Sequence, residues 1–422
     1  MSDVAALKLL AHEAESMLAR LELLRPFSEH MPMVPAATVG FEALRSIEKG
    51  LLERYARVRA RIREFGAWLR AGPKPPDEAQ RQLARVRLLF GGLLSEFDLF
   101  ADVITQRSEH PTGLLLSGID VAAIDMMRCP AFEAPAVISY LDRGHGAAIR
   151  RAMTRLPAGG DNPVAVLRVP RERMIGTGLA GSIAHEVGHQ AASLLDLVPA
   201  LQEALRARSK KQPERAVAFR HFDQWSSEIL ADLWAVGAVG VAHTLGLFAL
   251  LNLPTPHVFL GGLDRVHPIP WIRVHISAAL GEALVPHPQW KQLRAQWSAL
   301  HPLASARPEK QALMKTLLEA LPEFAALACT LRPRSLEGKR IADLFPDGVM
   351  HPARLAETYE RWKRGRLAMY AARPSLVFAV LGQARADGKL PPKLETRVLE
   401  TLILRWATEK LRLPEGSAAA SA

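Results

Sequence analysis

Cysteine is almost absent from this chain, which contains only Cys129 and Cys329 among its 422 residues. Two cysteines exclude a disulfide framework and argue against a cysteine-based metal site. The first residues, Met1 to Val4, lack the cationic start of a secretory signal, and no apolar run with a small-residue cleavage site follows them. We therefore expect a protein of the reducing cytoplasm.

A membrane span is not expected either, although the run from Leu233 to Leu253 contains no formally charged residue and is long enough to cross a bilayer. The run begins one residue after Asp232, which is assigned below to a metal site, and it carries His243 and Asn252. These polar residues favour a helix that is buried in the protein core. We therefore predict no integral membrane span.

The chain has a formal net charge of +11 and an isoelectric point near 9.9, which favours acidic partners, including nucleic acid. Lysine and arginine are nevertheless spread over the whole chain, and no nucleic-acid-binding motif accompanies them. A solvated basic surface is the simpler interpretation. Nucleic acid is therefore not predicted as a direct ligand.

Apolar residues recur at helical spacing in residues 1–25 and 38–71. The segment from Gly72 to Pro76 must interrupt this pattern, and Asp77 is a suitable N-cap for another helix that runs toward Gln106. These signals predict a helical N-terminal region at residues 1–107.

The pattern changes after residue 110. Residues 135–140 and 163–169 are short β-like runs bounded by turn residues, and a helix is predicted between them at about 143–156. Helical signals return from Thr177. Residues 108–303 are therefore predicted to form a core with a small β-sheet.

Helix-like patterns interrupted by prolines continue from Lys310 to Leu413 and predict a C-terminal helical region at residues 304–413. Residues 414–422 are small and polar, and we expect them to be disordered. The whole chain is thus predicted to have a mainly α fold of the α+β type.

The most informative segment contains His185, Glu186 and His189. Positions i and i+4 lie on one face of a helix, so both histidines can present ring nitrogens to one tetrahedral zinc ion. Zinc lowers the pKa of a bound water to near 7, and Glu186 is placed to take its proton. This H-E-x-x-H arrangement is typical of zinc peptidases.

A catalytic zinc site needs a third protein ligand and an open fourth position. Glu228 and Asp232 are again i and i+4 residues in a helical pattern flanked by apolar residues. Glu228 is predicted to be the third ligand. Asp232 is predicted to accept a hydrogen bond from a ligand histidine.

These elements resemble the gluzincin metallopeptidases, in which H-E-x-x-H is followed by E-x-x-x-D on a second helix. The sequence from Glu228 to Asp232 is similar to the E-x-x-A-D of the HtpX-like and CAAX prenyl protease group. The segment from His267 to Arg273 is similar to the H-P-x-x-x-x-R element of that group. The resemblance covers residues 181–273, without the membrane helices of the family.

The resemblance implies a zincin-like core that holds one Zn²⁺ per chain. It also implies an edge strand, here Val164 to Val169, that aligns the substrate backbone by strand addition. His267 and Arg273 would lie near the cleft, where either side chain can stabilise an oxyanion. The alternative for these two residues is a proline-rich loop whose arginine forms a structural ion pair.

The sequence therefore predicts a zinc metalloendopeptidase that acts on a protein or peptide substrate. One alternative is a catalytically latent zincin-fold scaffold that acts by binding a partner. Another is a zinc-dependent regulator that cleaves a DNA-bound repressor. The natural substrate and the oligomeric state are left open by the sequence.

Overall fold

The protein is mainly helical and contains one small sheet, as the sequence predicts. The structure is a computed structural model. It describes residues 2–109, 111–143, 147–170, 176–261, 266–345 and 348–409. The predicted disordered tail, residues 414–422, lies outside the described residues.

The N-terminal elements are α1 (Ser2–Leu21), α2 (Phe27–His30), α3 (Phe41–Arg70) and α4 (Pro76–Thr105). The central elements are α5 (Thr112–Met127), β1 (Val137–Asp142), β2 (Ala148–Arg150), β3 (Ala165–Pro170), α6 (Thr177–Leu194), α7 (Leu197–Lys211), α8 (Ala216–Gln224), α9 (Ser226–Val239), α10 (Val241–Leu251), α11 (Thr255–Val258), α12 (Pro270–Leu284) and α13 (Gln289–Leu300). The C-terminal elements are α14 (Pro308–Thr330), α15 (Pro352–Arg364), α16 (Leu367–Ala371), α17 (Pro374–Ala386) and α18 (Pro392–Glu409). Short 3-10 helices lie at Pro35–Ala37, Gln106–Ser108, Pro213–Arg215, Leu303–Ser305, Arg334–Leu336 and Ile341–Leu344.

The predicted N-terminal helices correspond to α1, α3 and α4, but the start of α4 differs from the prediction. Its N-cap is Pro75, and Pro76 occupies the first helical position, where its missing N–H costs no hydrogen bond. Asp77 instead lies in the first turn and accepts a hydrogen bond from Arg81 at 2.7 Å. The prediction of Asp77 as the cap is therefore wrong.

The sheet has the order β1-β3-β2, with β1 parallel and β2 antiparallel to β3. Two predictions are corrected here. The segment predicted as a helix at about 143–156 contains β2, because pairing with β3 outweighs the helix propensity of its alanines and arginines. The strand predicted as the substrate-aligning edge, Val164 to Val169, is central, since β3 has a partner on both sides.

The outer edge of β1 is closed by side chains. The amide group of Gln106 donates to the carbonyl of Leu141 at 3.0 Å and accepts from its N–H at 2.7 Å. Asp120 accepts from the N–H of Ser139 at 2.7 Å, and Arg107 donates to the carbonyl of Ser139 at 2.7 Å. These contacts occupy backbone groups that would otherwise be open to another strand.

Two hydrophobic cores meet at the sheet. The larger core joins α5, α6, α9 and α12 to the C-terminal helices α14, α17 and α18. The smaller core joins α1, α3 and α4 to the other face of the sheet, where Ile138 and Val166 are buried. The predicted boundaries at residues 107 and 303 thus do not coincide with gaps in the hydrophobic packing.

The uncharged run from Leu233 to Leu253 forms parts of two helices instead of one. Gly240 separates α9 from α10 and has a φ of 60°, a conformation that favours glycine. Leu233 and Trp234 are buried, as expected for core residues. Within the described ranges, no helix combines the length and the apolar character that crossing a bilayer requires.

Candidate metal centre

Close packing of α6 against α9 brings the His185–His189 and Glu228–Asp232 pairs of the sequence together. A Cβ atom at Gly188 would lie 2.9 Å from Trp234 Cβ and 3.0 Å from Ala231 Cα. Glycine is therefore required at this crossing of the two helices. On the neighbouring side of α6, Gly181 faces the backbone of His243 on α10.

The side chains of His185, His189 and Glu228 converge between α6 and α9. Glu228 Oε2 lies 3.4 Å from His185 Nε2, and Glu228 Oε1 lies 3.4 Å from His189 Nε2. Ligands bonded to zinc at 2.0–2.1 Å in a tetrahedron are separated by roughly 3.3–3.4 Å. Two nitrogen donors and one carboxylate at these separations fit a zinc ion.

Two further observations support this fit. Within the described residues, these three side chains are the group of potential ligands whose donor atoms all lie within 4.8 Å of one another. Glu228 Oε2 is buried and makes no well-aligned hydrogen bond to a described residue, although the Arg273 guanidinium lies 3.3 Å away. A bound metal ion would add the direct contact that this oxygen lacks.

The other ring nitrogen of each histidine is held by a neighbour. His185 Nδ1 lies 2.8 Å from Asp232 Oδ1, and His189 Nδ1 lies 3.3 Å from the hydroxyl of Ser227. When the Nδ1–H group donates to Asp232, the Nε2 lone pair of His185 faces Glu228 and is available to a metal. Asp232 therefore lies within hydrogen-bonding distance of His185.

Arg273 is buried beside Asp232. Its Nε and Nη2 atoms each donate to Asp232, at 2.9 Å, and Nη2 lies 3.3 Å from Glu228 Oε2. This fork geometry matches a carboxylate. The structure therefore places Arg273 in an ion pair within the centre, the arrangement that the sequence left as the alternative to an oxyanion contact.

His267 lies in the loop before α12 and is the most accessible side chain of the predicted set. Its side chain is 68% exposed, and its Nε2 lies 3.4 Å from Glu228 Oε2. The ring thus borders the centre while remaining open to solvent. This position is accessible to a bound substrate.

The charges of the centre stabilise one another. Burial alone would raise the pKa of Glu228 and Asp232, but the neighbouring ring nitrogens and the Arg273 guanidinium lower both values. Burial opposes protonation of His185, yet Asp232 and Glu228 raise its pKa to about 9. The negative potential at the imidazole favours any cation, whether a proton or a metal ion.

A cleft of about 530 Å³ opens beside this centre. Glu186 lines it together with His185, Glu228 and His267, while leucines of α10 form an apolar wall. Glu186 is buried, and it lines the cleft. All the predicted site residues therefore lie in or next to one cleft.

Sequence reasoning missed two residues of the centre. Ser227 contacts His189 and directly precedes Glu228. Its place next to a predicted ligand was only a weak indication that it belongs to the centre. His243 is buried, with its Nε2 3.2 Å from Asp232 Oδ1, whereas the sequence predicted only a place in a buried helix. No spacing rule could have found His243, because the break at Gly240 sets the angle of α10 to α9.

No protein-family model, curated protein or solved structure matches this chain.

Proposed function

We propose that this chain is a zinc-dependent metalloendopeptidase with a zincin-like core. The observation that carries the proposal is the 3.4 Å separation of Glu228 from the Nε2 atoms of both His185 and His189. Glu186 lines the same cleft without belonging to the ligand group. Three ligands with an adjacent free carboxylate suit hydrolysis better than a purely structural zinc site.

His185, His189 and Glu228 would hold the ion. When bound, zinc supplies water activation and polarisation of the scissile carbonyl. The Glu186 carboxylate accepts a proton from the attacking water and later donates it to the leaving amine. Asp232 and Arg273 keep His185 and Glu228 oriented, and His267 is placed to donate a hydrogen bond to the substrate carbonyl oxygen.

The substrate would bind as an added strand along β2. Side chains close the outer edge of β1, and β3 is central, so β2 is the edge that remains. Ala147, next to the start of β2, lines the cleft together with Glu186. An extended peptide on this edge would therefore pass beside the catalytic carboxylate.

The lining of the cleft favours an endopeptidase. An aminopeptidase needs a group, usually acidic, that holds the free amine of its substrate. Among the described residues of the cleft, the carboxylates are Glu186 and Glu228, and the proposed chemistry uses both. The two cysteines are free thiols, which suits the reducing cytoplasm.

Metal analysis with a cleavage assay tests the proposal. Purified wild-type protein should contain one zinc ion per chain by mass spectrometry and should cleave unstructured casein. His189→Ala should lose both properties, whereas His12→Ala, an exposed histidine on α1, should retain both. Wild-type protein that contains no zinc after purification with added zinc would overturn the proposal, and zinc without cleavage would favour the latent scaffold.

A further inference from the structure

Two cavities away from the metal centre meet at the C-terminal end of α5. One has a volume of about 580 Å³ and lies against α9, and the other, of about 850 Å³, lies between α5 and the start of α3. Asp125, Arg128 and Arg373 line both cavities. The two cavities therefore adjoin at these three shared residues, and we call the two cavities together the α5 groove.

The junction of the α5 groove carries two arginines without partners. Arg128 and Arg373 are exposed, and neither side chain forms an ion pair or hydrogen bond with another residue in the part of the chain that the structure describes. In the smaller cavity, Asp343 is already paired with Arg340 at 2.6 Å. Two unpaired guanidinium groups on the rim of one cavity suit an anionic ligand.

The other carboxylates of the groove do not neutralise these arginines. Asp125 is buried, and its Oδ2 accepts a hydrogen bond from the N–H of Ser375 at 2.8 Å. Asp120 pairs with Arg107 at 2.9 Å, and Glu42, in the first turn of α3, lines the larger cavity alone. The residues shared by both cavities are two arginines and one aspartate, so the junction itself has a net positive charge.

Each cavity forms one arm of the groove, and apolar side chains line both arms. The smaller cavity is lined by Trp234 and Phe345, and the larger by Phe41, Val121 and Ile124. Phe41 is 56% exposed, so its ring is accessible to a ligand in the larger cavity. An apolar arm on each side of a positive junction would fit a peptide whose acidic side chain lies between apolar side chains.

We propose that the α5 groove binds an extended polypeptide segment with an acidic side chain between two apolar stretches. The carboxylate lies between Arg128 and Arg373, where guanidinium groups can bind it through paired hydrogen bonds. The apolar side chains on either side fill the two arms. Each cavity alone has the size of a small-molecule site, but two joined cavities match a chain better than a compact ligand.

This proposal does not rest on the proposed function. Trp234 lines the groove from a different face of α9 than the one that carries Glu228 and Asp232, because it lies at a different helical angle. Binding in the groove can therefore be measured in the Glu186→Gln background, where cleavage does not interfere. The proposal for the α5 groove and the proposal for the metal centre are then tested independently of each other.

The probe is a short fluorescein-labelled peptide of alternating leucine and serine with one central glutamate. Matched peptides carry glutamine or lysine at the centre. Fluorescence anisotropy should show that the glutamate peptide binds about tenfold more tightly than the glutamine peptide. Equal affinities for the glutamate and glutamine peptides would overturn the proposal.

Two variants locate the binding. The double variant Arg128→Gln, Arg373→Gln should lose the preference for glutamate, and Phe41→Ser should weaken the binding of all three peptides. The control variant Arg361→Gln, Arg364→Gln removes two exposed arginines of α15 and should bind as the parent does. A glutamate preference that survives in the Arg128, Arg373 variant, or disappears equally in the control, would place the binding elsewhere and overturn the proposal.

Discussion

Asp232 lies within hydrogen-bonding distance of side chains from three other helices. These are His185 on α6, His243 on α10 and Arg273 on α12, at 2.8, 3.2 and 2.9 Å. The carboxylate orients the imidazole of His185 and neutralises the buried guanidinium. A buried charge of this kind is tolerated because its partners satisfy it, and removing one partner is costly.

Replacing Asp232 should therefore weaken metal binding, while His185, His189 and Glu228 remain the ligands. In Asp232→Asn, the zinc dissociation constant should rise about 10- to 100-fold, because a neutral amide holds the histidine tautomer less firmly. Competition with a chromogenic chelator measures this constant. Asp223→Asn is the control, since Asp223 pairs with the exposed Arg206 at 3.0 Å. Equal zinc affinity in Asp232→Asn and wild type would contradict the orienting role.

The carboxylate of Glu186 should be needed for turnover but not for metal binding. Glu186→Gln should still bind one zinc ion, since Glu186 does not belong to the ligand group. Its casein cleavage rate should fall about 10²- to 10⁴-fold, because the amide cannot accept the proton of the attacking water. Glu203→Gln, at an exposed position of α7, should keep full activity. Appreciable turnover by Glu186→Gln would show that another group is the base.

Among the elements, α6 and α9 can carry the centre only because they approach closely at Gly188. Gly188→Ala places a methyl group about as near to Trp234 Cβ as the 2.9 Å separation of the ideal Cβ. The helices must separate, which should lower the free energy of unfolding by about 1–3 kcal/mol and weaken zinc binding. Urea denaturation and zinc titration measure the two effects.

Gly178→Ala is a matched control on the same helix. A Cβ atom at Gly178 meets no described atom within 4 Å, so this variant should keep the stability and zinc affinity of the wild type. If the two alanine variants behaved alike, the packing explanation for Gly188 would be wrong.

Helix α12 contributes a pH dependence through His275. Burial and the positive charge of Arg294 lower the pKa of His275 to about 4. The unfolded chain takes up this proton near pH 6.5, whereas the folded protein does not, so stability falls as the pH decreases from 6.5 toward 4. At pH 5 the loss from this residue should be about 2 kcal/mol.

The variant His275→Gln isolates this effect. Between pH 7.5 and pH 5, its free energy of unfolding should fall by about 2 kcal/mol less than that of the wild type. Urea denaturation of the metal-free proteins measures the difference without interference from zinc release. His12→Gln, at an exposed site, should follow the wild type, and an identical pH dependence in His275→Gln would contradict the assignment.

In the sheet, local patterns predicted two strands but not their arrangement. Residues 135–140 and 163–169 correspond to β1 and β3, whereas β2 was predicted as helix. A three-residue strand has too little sequence for period-two alternation to be recognised, and its alanine and arginine residues favour helix. The pairing with β3 therefore had to come from tertiary structure.

At the scale of the whole molecule, the N-terminal helices pack against the sheet. Ala158 donates its N–H to the buried Glu96 at 2.7 Å, and Arg107 pairs with Asp120. The smaller core also places Ile138 and Val166 beneath these helices. Without residues 1–107, the face of the sheet that carries Ile138 and Val166 would be exposed, and Asp120 would lose its arginine partner.

Deletion of residues 1–107 should therefore give insoluble protein. A self-contained core would instead remain soluble after this deletion. Solubility and cooperative thermal unfolding are the measurements. Residues 1–107 expressed as a separate chain in the same cells should restore soluble protein, because the interface is apolar and specific. A soluble, zinc-binding deletion variant would show that the boundary at residue 107 separates independent units.

The sequence by itself determined which side chains can share a helix face. The spacing of His185 with His189, and of Glu228 with Asp232, follows from the 3.6-residue period of the helix and needs no knowledge of the fold. Only the tertiary structure decided that these faces meet, that Arg273 pairs with Asp232, and that β2 lies at an edge of the sheet. Those relations depend on helix crossings and strand pairing between residues far apart in the chain, and local periodicity carries no information about them.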